Sequence, residues 1–153
     1  MTDVADREIV STRWIAASRA KIYQAFIDPT IMTKWWGPQG FTNTFEVFEP
    51  RPGGDWRLIM HGPDGSDYLN VWRIVELVEP ERIVLDHVKP MHRFLLTMTL
   101  DDEPAAESGI AGTRLTWRME FDSAAEVERI RPYVPAANEQ NFDRLEAQLA
   151  AMP

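Results

Sequence analysis

DPTIMTKWWGPQGFTNTFEVFEPRPGGDWR, residues 28–57, is the stretch in which the chain passes from helix to sheet. Asp28-Pro29 ends whatever helix precedes it, because proline lacks the N–H and restricts the residue before it. Thr30–Trp36 then predicts a second short helix, stopped by Gly37-Pro38. After Gly40 the period turns from helical to alternating, with Phe45 and Val47 on one side and Glu46 and Glu49 breaking the other. Pro50–Gly54 is a turn, in which Pro52 sets one dihedral and paired glycines permit positive φ. Beyond it Trp56, Leu58 and Met60 alternate with Asp55, Arg57 and His61, the pattern of a half-buried strand.

Working back from this stretch, residues 1–6 read as a loose tail and Arg7–Ile15 as a first strand. Ser18 can cap a helix over Arg19–Ile27, with Ile22, Ala25, Phe26 and Ile27 on its apolar face. Working forward, Gly62-Pro63-Asp64-Gly65 reverses the chain. A register symmetric about Asp64 sets Trp72 opposite Trp56 and Asn70 opposite Leu58. Strands follow at Tyr68–Val78, Ile83–Val88, Arg93–Leu100 and Thr113–Phe121, with turns at Glu79-Pro80-Glu81 and Lys89-Pro90-Met91. Facing between Val71 and Val88 is left open, because one bulge would invert it. Asp101–Gly112, polar and rich in small residues, reads as a mobile loop. Asp122-Ser123 caps a last helical region that Pro132 and Pro135 interrupt. Asn138, Phe142, Leu145 and Leu149 then form one stripe on a helix of about three to four turns. Segregated helices and antiparallel strands make this an α+β chain. The expected organisation is one domain over residues 1–153, with its core at about 7–150.

The totals agree. A chain of 153 residues with 44% hydrophobic and 26% charged side chains has ordinary globular proportions. Six tryptophans and seven methionines suit an irregular apolar interior or a lined cavity. A formal net charge of -8 repels phosphate backbones and anionic lipid, so neither nucleic acid nor a membrane is an expected partner. Without cysteine there is no disulfide, thiol catalysis or thiolate metal site. No apolar run approaches ~20 residues and the N-terminus is acidic, so the expected compartment is cytoplasmic.

Certain motifs carry a resemblance. They are Asp28-Pro29, Lys34-Trp35-Trp36-Gly37-Pro38, Gly40-Phe41-Thr42, Arg51-Pro52-Gly53-Gly54-Asp55-Trp56-Arg57, Met60-His61-Gly62-Pro63-Asp64-Gly65 and Pro80-Glu81-Arg82. Together they resemble the START/Bet v 1 (SRPBCC) superfamily, and within it the branch named after the activator of heat-shock protein 90 ATPase. The resemblance implies a helix-grip fold, a curved antiparallel sheet wrapped around a long C-terminal helix. Between them it implies a cavity that across the superfamily holds lipids, sterols, polyketides and other apolar molecules. Family members commonly carry Gly-Trp near the start of the last helix, where this chain has Ala137-Asn138. A carboxamide in place of an indole would enlarge the cavity and add a donor and an acceptor.

The expected ligand contacts are Trp35, Phe41, Trp56, Leu58, Met60, Tyr68, Trp72, His87, Met98, Trp117, Met119, Asn138, Phe142 and Leu145. Trp56, Trp72 and Trp117, like Met60, Leu96, Met98 and Met119, serve equally as core or as ligand platform. Of Trp35 and Trp36 only one can face the cavity, since neighbours on a helix diverge by about 100°. His61, His87 and His92 lack the spacing of a metal site, and no metal or cofactor is expected. Arg57 and Arg73 could orient an acidic ligand, or simply be solvated. The leading function is binding of a small apolar, aromatic or lipid-like molecule by a monomer or homodimer, with no catalytic residue assigned. One alternative is a cyclase-like enzyme using His87 or Tyr68 as acid and base. The other is a co-chaperone that stimulates a partner ATPase through its surface.

Overall fold

In the computed structural model, residues 4–89 and 93–152 are described. A 3₁₀ turn at Val4–Arg7 occupies the expected loose tail and leads into β1 (Glu8–Ile15). Ser18 caps α1 (Arg19–Ile27), its hydroxyl accepting from Lys21 N at 3.2 Å. Asp28 both ends α1 and caps α2 (Pro29–Met32), where its carboxylate accepts from Thr30 N and Oγ1. The second helix is therefore one turn, shorter than Thr30–Trp36. The chain then unwinds through Trp36 to Gly37, whose φ of 97° is a left-handed value that glycine adopts without strain.

Six strands follow in order: β2 (Thr42–Phe48), β3 (Asp55–His61), β4 (Asp67–Val78), β5 (Arg82–Lys89), β6 (Phe94–Asp102) and β7 (Thr113–Phe121). With β1 they make one antiparallel sheet in the order β1-β7-β6-β5-β4-β3-β2. The β3–β4 hairpin has the expected register, pairing Trp56 with Trp72 and Leu58 with Asn70. The facing left open in β4 and β5 is resolved by two register shifts, at Val71/Trp72 and at Ile74/Glu76. A further bulge between Phe45 and Val47 corrects the reading of β2. It turns Val47 outward and brings Phe48 to the inside, stacked on Trp56 at 5.0 Å. The expected turn at residues 90–91, like His92, lies outside the described residues.

The expected mobile loop is partly strand and partly anchored. β6 continues to Asp102, Glu103 N donates to Gly112 O at 2.9 Å, and Trp14 Nε1 donates to Glu103 O at 2.7 Å. Gly112 lies against the Trp14 indole, where a Cβ would overlap the ring.

Ser123 caps α3 (Ala124–Ile130), and the turn at residues 131–133, with Pro132 at its centre, separates it from α4 (Val134–Ala151). At 18 residues α4 makes about five turns, longer than expected because Pro135 stands in its first turn, where no N–H is missed. Its buried face carries Asn138, Asn141, Phe142, Leu145 and Leu149. This is the helix-grip arrangement, with α4 laid against the sheet and the hydrophobic core between. Arg13 of β1 ties the two layers, reaching Glu139 and Asp143 at 2.6 Å each and lying 5.5 Å from the Phe142 ring centroid. Burial disfavours its charge, but the hydrogen bonds to Asp143 and Glu139 outweigh that and raise its pKa. No described helix is long and apolar enough to cross a membrane.

Candidate functional site

A pocket of about 240 Å³ opens between the sheet and the first turns of α4. The sheet contributes Met60, Asn70, Trp72, His87, Phe94, Leu96, Trp117 and Met119, side chains from five adjacent strands. Trp36, Gly37 and Pro38 close one side, and Val134, Ala137, Asn138 and Asn141 form the helical wall.

The aromatic rings here form one connected set. Trp36 meets Trp72 edge-on at 5.7 Å and lies 5.7 Å from Trp117. His87 sits between Trp72 at 4.4 Å and Phe94 at 4.6 Å. Its Nε2 is 3.4 Å from Asn70 Oδ1, and Asn70 in turn donates to Tyr68 O. On the opposite wall Asn138 directs its amide at Ser11 Oγ and Met119 Sδ, at 3.2 and 3.6 Å. Asn141 donates to Trp35 O at 3.0 Å. The indole N–H groups of Trp72 and Trp117 have no acceptor among the described residues.

Of the expected contacts, Met60, Trp72, His87, Trp117, Met119 and Asn138 line this pocket. The others stand elsewhere. Trp35 is fully buried in the core, where its indole donates to Ala25 O at 3.1 Å, and its neighbour Trp36 takes the pocket side. Trp56, Leu58, Met98, Phe142 and Leu145 are core residues with no surface on the pocket. Tyr68 is exposed on the rim of its strand and packs beside Phe41 at 6.1 Å, so neither lines the pocket. With Tyr68 outside, His87 is the one titratable side chain among the described residues of the lining.

Arg57 and Arg73 belong to exposed pairs, with Glu46 at 2.9 Å and Asp55 at 3.4 Å. His61 lies between Thr44 Oγ1 at 2.8 Å and Asp67 Oδ1 at 2.7 Å, away from His87. No cluster of three metal-ligating side chains occurs among the described residues.

Two residues of α4 escaped the sequence reading. Arg144 fans its guanidinium onto the carbonyls of Trp36, Gly37, Pro38, Lys34 and Phe41, at 2.9–3.2 Å. It makes no ion pair among the described residues, and burial lowers its pKa. Asn141 completes the hold on the same segment through Trp35 O. The pocket wall at residues 36–38 is therefore fixed by backbone acceptors. Asn141 stands beside Phe142 of the apolar stripe, a position that could have drawn notice, but nothing in sequence marks an arginine whose partners are carbonyls.

The family profile of the activator of Hsp90 ATPase homolog 1-like proteins matches residues 16–150. The chain belongs to this family. The fold agrees with solved structures of similar proteins. One from Nitrosomonas europaea is 18% identical with a TM-score of 0.82, covering 99% of both chains. One from Arthrobacter aurescens is 22% identical with a TM-score of 0.83, covering 99% of this chain and 91% of that one. The AHSA1 protein from Silicibacter pomeroyi is 16% identical with a TM-score of 0.71, covering 94% of this chain and 98% of that one. A comparison with curated proteins finds no match. Membership in the activator of Hsp90 ATPase homolog 1-like family fits a hydrophobic-ligand-binding or a co-chaperone-like fold.

Proposed function

We propose that this protein binds a small, largely apolar molecule in the pocket between sheet and α4. The observation that carries the reading is the lining itself, where three indoles, Phe94, two methionines and Leu96 converge on a space of about 240 Å³. Convergent aromatic and aliphatic groups with a few placed polar atoms are the usual make-up of a ligand site. The space exceeds the ~150 Å³ of an apolar cavity that takes benzene, and falls below the ~300 Å³ at which drug-sized sites begin. One substituted ring or two fused rings fits within it. Removing ~250 Å² of ligand apolar surface from water contributes about 6 kcal/mol, before association entropy is subtracted. The affinity expected is on the order of millimolar.

Isopropylbenzene is a suitable probe, followed by ¹H–¹⁵N NMR in the intact protein and in Asn138→Trp. Saturable shifts at the pocket residues that Asn138→Trp abolishes, in a still-folded domain, are expected. Unchanged affinity in Asn138→Trp would place the binding site elsewhere. No saturable shift in the wild-type protein would remove the reading.

A further inference from the structure

We infer that the ligand is a neutral molecule bearing a hydrogen-bond acceptor, such as an aryl carbonyl, taken up by the indole N–H groups of Trp72 and Trp117. This inference rests on the binding reading above and names the chemistry of its ligand. Both tryptophans are 4% exposed, both line the pocket, and neither N–H finds an acceptor among the described residues. A buried donor without a partner is costly, and an acceptor on the ligand would recover that loss.

The carboxamides do not compete for that acceptor. Asn138 directs its NH2 at Ser11 Oγ and Met119 Sδ, Asn141 at Trp35 O, and Asn70 at Tyr68 O. The amide groups of these three side chains are thus engaged, which leaves the indoles as donors for a ligand acceptor. Neutrality follows from the lack of any Asp, Glu, Lys or Arg among the described residues of the lining. A carboxylate entering there would leave water with no fixed counter-charge to replace its hydration. Trp56 Nε1 and Asn43 Oδ1 also lack partners, but neither residue lines the pocket, so Trp56 serves as an internal control.

Three single-ring probes of similar size test this by ¹H–¹⁵N NMR near neutral pH: acetophenone, isopropylbenzene and benzoate. Acetophenone is expected to move the indole N–H resonance of Trp72, Trp117 or both downfield and to leave that of Trp56 in place. Isopropylbenzene, which has no acceptor, should produce no downfield shift at either. At least one of Trp72→Phe and Trp117→Phe should weaken acetophenone about 2- to 10-fold more than it weakens isopropylbenzene, the range of one net hydrogen bond. Benzoate should bind at least about tenfold more weakly than acetophenone, on desolvation of its charge. If both variants weaken the two neutral probes equally, or the indole resonances respond alike to both, the acceptor inference fails while the pocket reading stands. Benzoate binding tightest would overturn it in favour of an anion held at His87. If no probe binds, pocket and inference fall together. The wild-type resonances decide the matter even if a Phe variant does not fold.

Discussion

Replacing Arg144 by methionine keeps the apolar stem and removes the fan of hydrogen bonds that holds residues 34–41. Five carbonyls lose their donor in that variant, at distances now between 2.9 and 3.2 Å. A hydrogen bond to a charged group contributes about 1.5–3 kcal/mol. Three of the five share Nη1, and the most exposed carbonyls can turn to water, so the effect is nearer two such bonds than five. A loss of about 3–4 kcal/mol is expected. With a urea m value of ~2 kcal/mol per M, the unfolding midpoint would fall by about 1.5–2 M. Arg144→Lys, with one compact ammonium in place of a planar fork, should recover no more than about half. Urea titration followed by tryptophan fluorescence measures the midpoint, and hydrogen exchange at the amides of residues 34–41 locates the loss. A midpoint shift below about 0.3 M for Arg144→Met would mean that the segment is held by its own packing, and the reasoning would be wrong.

Gly112→Ala puts a methyl into the Trp14 indole and should cost about 1–3 kcal/mol by thermal or chemical unfolding, as overpacking does; a neutral outcome would show that Trp14 swings aside freely. Trp35→Phe should lower stability through the lost bond to Ala25 O yet leave isopropylbenzene affinity within about twofold, since Trp36 and not Trp35 lines the pocket. A large affinity loss there would reverse that assignment. The hydrogen bonds from Thr30 hold the Asp28 carboxyl below the ordinary range near ~3.9. A lowered folded-state pKa gives stability that is present above the unfolded value and lost as pH falls through the folded one. The stability gap between wild type and Asp28→Ala should thus be constant near neutrality and narrow below about pH 4, as denaturation at stepped pH would report.

Much of this architecture was legible because the residues that set it act locally. Ser18, Asp28 and Ser123 cap by hydroxyl or carboxylate, and the Pro63–Gly65 turn fixed the register that pairs Trp56 with Trp72. The bulge between Phe45 and Val47 was not legible, because it depends on pairing with β3 and leaves no residue signature. The site was legible only to the level of its faces. Alternation told which side of β3, β4 and β7 points inward, but not how far along each strand the helix covers it. Trp56 and Trp72 therefore looked equivalent, although α4 and the segment at residues 36–38 leave only the second on the pocket. The choice between Trp35 and Trp36 turned on α2 ending at Met32, earlier than the spacing indicated.

The sheet order also sets a sequence of events in folding. From β2 to β7 each strand lies beside its successor, so that meander can assemble through short-range closures. β1 is different: Ile9 pairs with Met119 and Ile15 with Thr113, so its docking closes a loop of about a hundred residues. The contacts that seat α4 over the pocket involve that same strand, through Ser11 to Asn138 and Arg13 to Glu139 and Asp143. The most non-local pairing of the sheet is thus the one that completes the pocket, and β2–β7 by themselves would make a sheet with nowhere to hold a ligand.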